Sequence, residues 1–131
     1  MKILKAALLA LCAVLDSPCY AIDLNGAWAT DASVCDKVFV KTGSAISFRP
    51  DSELYGGGFI IEGNRIRGQS AGCDIKSRKE AGMTTHLIAS CATEVMFSSV
   101  QFSLKTVDEN RIIRVFPEMS DMELPYARCP M

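Results

Sequence analysis

From about residue 23 onward, apolar and polar residues alternate over short segments that are separated by turn-forming residues. Alternation with a period of two is typical of β-strands that turn one face towards a core. The alternating segments outside the two central hairpins are 23–30, 45–49, 100–105, 112–116 and 126–129. Seven or eight short strands at this spacing predict an all-β fold, a small antiparallel barrel or sandwich.

The segment 59–67 is predicted to form a β-hairpin. Gly63-Asn64 lies between two alternating runs, and both residues tolerate the positive φ of a tight two-residue turn. This turn places Glu62 opposite Arg65, and opposite charges at paired positions favour that register.

A second hairpin is predicted from the segments 73–78 and 85–91, which alternate on either side of a turn near Gly82. If this hairpin is symmetric about Gly82, Cys73 and Cys91 face each other across it.

The segment 31–40 has a different pattern. Asp31 is a suitable N-cap for one short helix, which would carry Cys35 and place Val38 and Phe39 on one face. We expect this helix, the only one in the fold, to cover one end of the sheet structure. The segment 117–125, which has a proline at each end, is predicted to be a loop.

The first 21 residues have the features of a secretory signal peptide. Two lysines precede the ten-residue apolar run 6–15, and Cys19-Tyr20-Ala21 has small residues where signal peptidase acts. The run is shorter than the ~20 residues that a membrane span needs. We therefore expect cleavage near Ala21, which leaves a single domain of residues 22–131 in the periplasm or outside the cell, without a membrane span.

Four cysteines remain after residue 21, namely Cys35, Cys73, Cys91 and Cys129. An even number of cysteines in a small exported domain predicts two disulfides, and four cysteines allow three pairings. The predicted hairpin favours Cys73–Cys91, which leaves Cys35–Cys129 to join the first and last structured segments. The pairing of Cys35 with Cys73 and Cys91 with Cys129 stays open.

Charge and composition exclude some classes of function but do not identify one. The whole chain has 14 basic and 15 acidic residues, and loss of Lys2, Lys5 and Asp16 with the signal peptide leaves a net charge of −2. This balance argues against a general nucleic-acid binder. His86 is the only histidine and lies in a predicted strand, without a nucleophile-elbow sequence anywhere in the chain. We therefore predict no catalytic residue, no metal ligand and no cofactor.

Basic side chains are concentrated on the two predicted hairpins, which suggests a candidate anion-binding patch. An ordinary charged outer face of a sheet is the alternative interpretation. The patch residues are Arg65, Arg67, Lys76, Arg78 and Lys79.

The segment Leu24-Asn25-Gly26-Ala27-Trp28 resembles the Gly-x-Trp opening of lipocalin-like barrels. The resemblance implies a barrel in which Trp28, next to Gly26, plugs one end and packs against an arginine of a late strand, either Arg128 or Arg114. The wider layout resembles that of small exported four-cysteine proteins of bacteria. In its size and its kind of barrel, the chain also resembles the bacterial metalloprotease inhibitors.

Two functions follow as expectations. The first is a monomeric periplasmic binding module that presents loops, such as 50–59 and 117–125, to a protein or an envelope polymer, as an inhibitor does. The alternative is a carrier that holds a small apolar ligand in a lipocalin-like cup. An enzyme ranks last, because no catalytic signature is present.

Overall fold

A computed structural model of the protein describes residues 22–131, so the predicted signal segment lies outside the described residues. This part of the chain folds into ten β-strands, one short α-helix, α1 (Cys35–Val38), and two 3₁₀ turns, Ala32–Val34 and Ser52–Leu54. The strands are β1 (Gly26–Ala29), β2 (Phe39–Thr42), β3 (Ala45–Phe48), β4 (Gly58–Glu62), β5 (Arg65–Gly68), β6 (Gly72–Ala81), β7 (Thr84–Ala92), β8 (Phe97–Asp108), β9 (Arg111–Val115) and β10 (Glu123–Arg128).

Eight of the strands form a closed antiparallel barrel. Strands β4 to β10 follow one another in chain order, and β1 closes the barrel between β10 and β4. The prediction of a small all-β antiparallel barrel with one short helix near Cys35 is confirmed. An eight-stranded barrel has an interior that is filled by side chains or is just wide enough for one small ligand.

The two ends of the barrel differ in the connections that they carry. The chain enters β1 at the end formed by residues 22–25 and the turns 63–64, 82–83 and 109–110. The opposite end carries the longer connections 69–71, 93–96 and 116–122, and the segment 30–57 leaves β1 and enters β4 at this end. We call the first of these the plugged end and the second the open end.

The first predicted hairpin forms with the predicted register. In the β4–β5 hairpin, Glu62 pairs with Arg65 across the turn, and Gly63 has a φ of +58°. The turn therefore uses the conformational freedom of glycine as the sequence predicted.

The second hairpin brings Cys73 opposite Cys91, but not by the predicted symmetry. The turn consists of Gly82 and Met83, and without further change its register would place Cys73 opposite Ala92. A register shift between Ile75 and Ser77 adds one residue to β6 and moves Cys73 into line with Cys91. The pairing of these cysteines therefore depends on a β-bulge that the alternating pattern did not reveal.

Both favoured disulfides are present, and the alternative pairing is excluded. Cys73 is bonded to Cys91, and Cys35 in α1 is bonded to Cys129, which directly follows β10. All four cysteines are buried. Disulfides persist in oxidising compartments, so these bonds indicate an exported environment.

The helix covers the side of the barrel and not its end, so this part of the prediction is wrong. Val38 of α1 and Phe39 of β2 pack against Ala27, Ala29 and Ile60, which form the outer face of β1 and β4. Small outward residues on β1 leave room for this second core outside the barrel. Gly58 is needed on the same face, because a Cβ there would lie 2.9 Å from the Phe39 ring.

The main core fills the barrel interior. It consists of the inward-pointing residues, which alternate with outward-pointing ones along the barrel strands. The largest inward side chain is that of Trp28, which is fully buried. Around it pack Ile61, Ile66, Leu87, Leu104 and Ile112, with further partly buried aromatic residues towards the open end.

The predicted loop 117–125 is three residues too long, because β10 begins at Glu123. Pro125 pairs with Ile113 of β9, whereas β1 pairs only with Ala127 and Arg128. On the side that faces β1, Pro125 therefore lies beyond the paired part of the strand, where a residue without an N–H is tolerated.

No helix in residues 22–131 is long and apolar enough to cross a membrane.

We expect the two disulfides to contribute unequally to stability. Cys35 and Cys129 are 94 residues apart, and Cys73 and Cys91 are 18 residues apart. In the chain-entropy model the longer loop contributes about 4.7 kcal/mol and the shorter one about 3 kcal/mol.

Urea unfolding of the Cys35→Ala/Cys129→Ala and Cys73→Ala/Cys91→Ala double variants measures the difference. Each double variant is the matched control of the other, since all four sites are buried. A larger loss of stability in the Cys73/Cys91 variant would contradict the assigned role of the Cys35–Cys129 bond.

Candidate ligand-binding site at the open end of the barrel

Trp28 closes the plugged end from inside. Its ring is fully buried, and its indole Nε1 donates a hydrogen bond of 2.9 Å to the Leu24 carbonyl, in the segment that leads into β1. A buried indole N–H needs such a partner, and here the partner belongs to the chain that crosses this end.

Arg128 completes this closure. Its guanidinium carbon lies 4.3 Å from the centre of the Trp28 ring. Nε donates to the Glu109 carbonyl at 2.9 Å, Nη1 donates to the Asn25 carbonyl at 2.6 Å, and Nη2 donates to the Asp23 carbonyl. One arginine therefore joins β10, the turn between β8 and β9, and the entering chain.

Gly26 leaves room for that arginine. Its φ is +132°, and a Cβ at this position would lie 3.1 Å from Arg128 Nη1. The structure thus brings Gly26, Trp28 and Arg128 together at one end of the barrel. Arg114, the alternative partner of the tryptophan, points elsewhere.

A cavity of about 200 Å³ lies inside the barrel towards the open end. It extends from the connection that contains Ala71 down to Ile61 and Leu104, and it is mainly apolar. Its lining residues are Gly58, Phe59, Ile61, Ile66, Gly68, Ala71, Cys73, Phe102, Leu104, Arg114 and Tyr126.

Arg114 is the only charged residue in this lining. It pairs with Leu104, whose side chain belongs to the barrel core, so both side chains lie on the inner face. The guanidinium carbon lies 4.4 Å from the centre of the Phe102 ring and 4.8 Å from that of Phe116. Arg114 therefore makes cation–π contacts with two aromatic rings.

The charge of Arg114 has no acidic partner among residues 22–131, where no carboxylate oxygen lies within 4 Å of it. Its Nε is buried and has no hydrogen-bond partner in the described chain. Burial lowers the pKa of the guanidinium from its usual value, but an arginine remains protonated in proteins. The cavity thus contains a cation with unused hydrogen-bond donors.

Tyr126 adds a hydroxyl group to the same cavity. Its ring packs edge-on against Phe59, with ring centres 4.7 Å apart. Burial raises the pKa of Tyr126, and the nearby positive charge of Arg114 partly opposes that rise. The phenol is therefore neutral near pH 7, so its O–H is available as a donor.

Large apolar side chains are exposed around the open end, on three different connections. Val95 is 89% exposed and Phe97 is 86% exposed, which is unusual for residues of this size. We call this set the open-end rim; it comprises Leu54, Tyr55, Val95, Met96, Phe97, Met119 and Met122. The two loops expected to present binding residues, 50–59 and 117–125, both contribute to it.

Two basic residues of the predicted anion patch are paired with carboxylates. Arg65 pairs with Asp74 at 3.7 Å, and Arg67 pairs with Glu62 at 2.8 Å. Arg67 also donates to the carbonyl of Ile46 in β3, which pairs with β2 outside the barrel. These two arginines are thus occupied within the protein.

The other three basic residues of the predicted patch lie on β6, at or beyond its bulge. Lys76 lies at the bulge itself, and beyond it Arg78 pairs with Leu87, a core residue, whereas Lys79 pairs with His86. Arg78 therefore turns towards the plugged end, where it lines a second hollow of about 260 Å³ with polar residues of the entering chain.

His86 contacts a serine without forming a catalytic arrangement. Its Nδ1 lies 2.8 Å from Ser103 Oγ, and Gln101 Nε2 lies 3.2 Å from the same oxygen. Ser103 is fully buried, and no carboxylate contacts the ring in the described residues. Within residues 22–131, no group of three or more His, Cys, Asp and Glu side chains could hold a metal ion.

In comparisons with known proteins, no family model, no curated protein and no solved structure matches the chain.

The sequence pattern contains a signal for the charged cavity. Ile112, Arg114 and Phe116 occupy alternate positions of one segment, and Ile112 is a core residue. An arginine in register with core residues predicts a charge inside the barrel. The resemblance to lipocalin-like barrels gives Arg114 only the role of a partner for Trp28.

We expect the Arg128→Lys variant to lose about 2 kcal/mol of stability, because an ammonium group cannot reach three carbonyls and stack on a ring at once. Trp28 is the only tryptophan, so its fluorescence should shift to longer wavelength as water reaches the ring. Urea unfolding followed by this fluorescence measures both effects.

The matched control is Arg111→Lys, in which an exposed arginine that pairs with Asp108 is replaced. It should change stability by at most about 0.5 kcal/mol. Equal effects of the two variants would show that Arg128 has no special role at the plugged end.

Proposed function

We propose that the protein is an exported, non-catalytic binding protein that holds a small ligand in the open-end cavity. The observation that carries this proposal is the contrast between the two ends. Trp28 and Arg128 occupy one end, where the remaining hollow has a more polar lining, whereas a mainly apolar cavity with a single unpaired cation lies towards the other. This is the carrier alternative of the sequence analysis, and the resemblance to lipocalin-like barrels supports it.

The volume of the cavity limits the ligand. Sites for drug-sized molecules measure ~300–1,000 Å³, so a cavity of about 200 Å³ is suited to a smaller molecule or to one end of a larger one. The aromatic lining and the open-end rim both favour an apolar body for the ligand.

A protein partner is the second candidate, and the open-end rim is the observation that favours it. Exposed apolar side chains on several connections are a feature of protein interaction sites. Such a partner would insert an apolar side chain into the cavity and cover Val95 and Phe97. An inhibitor would act in this way, from the periplasm or outside the cell.

Gly68 offers a way to block the cavity. It lies opposite Phe59 in the sheet, and a Cβ there would come no closer than 3.5 Å to another atom. We expect Gly68→Leu to fill part of the cavity and to keep or raise the melting temperature, since a strand glycine packs poorly. Its binding of 1-hexanol, a neutral apolar probe, should fall at least about tenfold.

Titrations of the disulfide-bonded protein by NMR measure that binding, and native mass spectrometry shows any molecule retained from the cell. The control is Gly72→Leu, because Gly72 faces outward and its Cβ would meet only the flexible Arg65 side chain. Wild-type protein that binds neither 1-hexanol nor hexanoate saturably, and is isolated empty, would overturn the small-ligand function. Capture of one envelope protein that both Phe97→Ser and Gly68→Leu abolish would favour the protein partner instead, because that partner covers Phe97 and inserts a side chain into the cavity.

A further inference from the structure

The cavity lining combines an apolar surface with one cation that nothing in residues 22–131 neutralises. Arg114 is half-buried, and a charge that is partly withdrawn from water is stabilised by a partner of opposite sign. Arg114 has no such partner in the protein, and its buried Nε has no hydrogen bond. The missing partner therefore points to a ligand.

We propose that the ligand is a small monocarboxylate with an apolar tail, whose carboxylate pairs with Arg114 while its tail enters the barrel. This inference rests on the proposed function and names the ligand class. A guanidinium offers parallel N–H donors that match the two oxygens of a carboxylate, and such charged hydrogen bonds are stronger than neutral ones.

The position of Arg114 determines how the ligand lies. It is the fourth of the five residues of β9, and β9 runs from the plugged end to the open end. The carboxylate is therefore held near the cavity mouth. The apolar tail extends inward to Ile61 and Ile66, which lie near the 63–64 turn of their hairpin and line the deeper part.

The aromatic neighbours of Arg114 support this role. Phe102 and Phe116 contact the guanidinium through cation–π interactions, which do not use its N–H groups as hydrogen-bond donors. Tyr126 lines the same cavity and provides a neutral hydroxyl near the charge. An anion therefore finds a cation and a hydroxyl donor in the cavity.

The length of the tail follows from the volume. About 200 Å³ corresponds to roughly seven water-sized groups, at ~30 Å³ for each. Affinity should rise from butanoate to a chain of about six to eight carbons and then level off. A continued rise through dodecanoate would overturn the inward placement of the tail.

Charge recognition is tested with three six-carbon compounds that have different head groups: hexanoate, 1-hexanol and hexylammonium. We expect hexanoate to bind the disulfide-bonded protein at least about tenfold more tightly than 1-hexanol, and hexylammonium to show no saturable binding. Titration calorimetry gives the affinities, and the amide signals of Gly68 and Ala71 report whether binding is in the cavity.

Arg114→Met keeps an apolar side chain of similar length and removes the charge. We expect hexanoate binding to fall at least about tenfold, while 1-hexanol binding changes less than about threefold. Arg114→Lys should retain part of the preference for hexanoate, because it keeps the charge but lacks the two-pronged geometry. Arg111→Met is the control, since Arg111 lies on the same strand, is exposed and pairs with Asp108.

The possible results separate the two proposals. Equal binding of hexanoate and 1-hexanol, or a preference that survives in Arg114→Met, would overturn the carboxylate assignment and leave the small-ligand cup intact. Absence of binding for both probes would overturn the cup itself. Because 1-hexanol binding by Arg114→Met shows that the cavity is intact, a misfolded variant cannot be mistaken for loss of charge recognition.

Discussion

Closure of the barrel between β1 and β10 is the constraint on which the rest of the structure depends. Only two residue pairs, Trp28 with Arg128 and Ala29 with Ala127, join these strands. The short ladder is reinforced by Arg128, which binds three backbone carbonyls, and by the disulfide from Cys129 to Cys35. The interactions that plug one end and join the first segment to the last are therefore the same ones that close the barrel.

This closure explains why the two ends of the barrel differ. At the plugged end, short turns and the entering chain lie close enough for one guanidinium to join them. At the other end the connections are longer, and no residue equivalent to Trp28 fills the interior. Arg114, Tyr126 and the surrounding rings remain around a cavity there, with exposed Val95 and Phe97 at its rim. The proposed binding function rests on this asymmetry more than on any single residue.

The two arginines of the barrel interior illustrate how environment sets the role of a side chain. Arg128 has all three nitrogens engaged with carbonyl oxygens, so its charge is used within the fold. Arg114 also stacks on aromatic rings, but its Nε has no acceptor among the described residues. A satisfied arginine stabilises the structure, whereas an unsatisfied one in a cavity is available to a ligand. The expected anion patch on the hairpins has less binding capacity, because Arg65 and Arg67 are already paired.

The sequence by itself determined the class of fold, most of the strands and the first hairpin register. These features depend on local alternation and turn residues. Only the tertiary structure decided where α1 packs, because the outward apolar positions of β1 and β4 form one surface only once those strands are neighbours. The pairing of the cysteines, which depends on the bulge in β6, and the lack of a partner for Arg114 were decided in the same way. A one-residue register shift reverses the faces of a strand, and the absence of a partner for a charge is a property of the whole surrounding barrel.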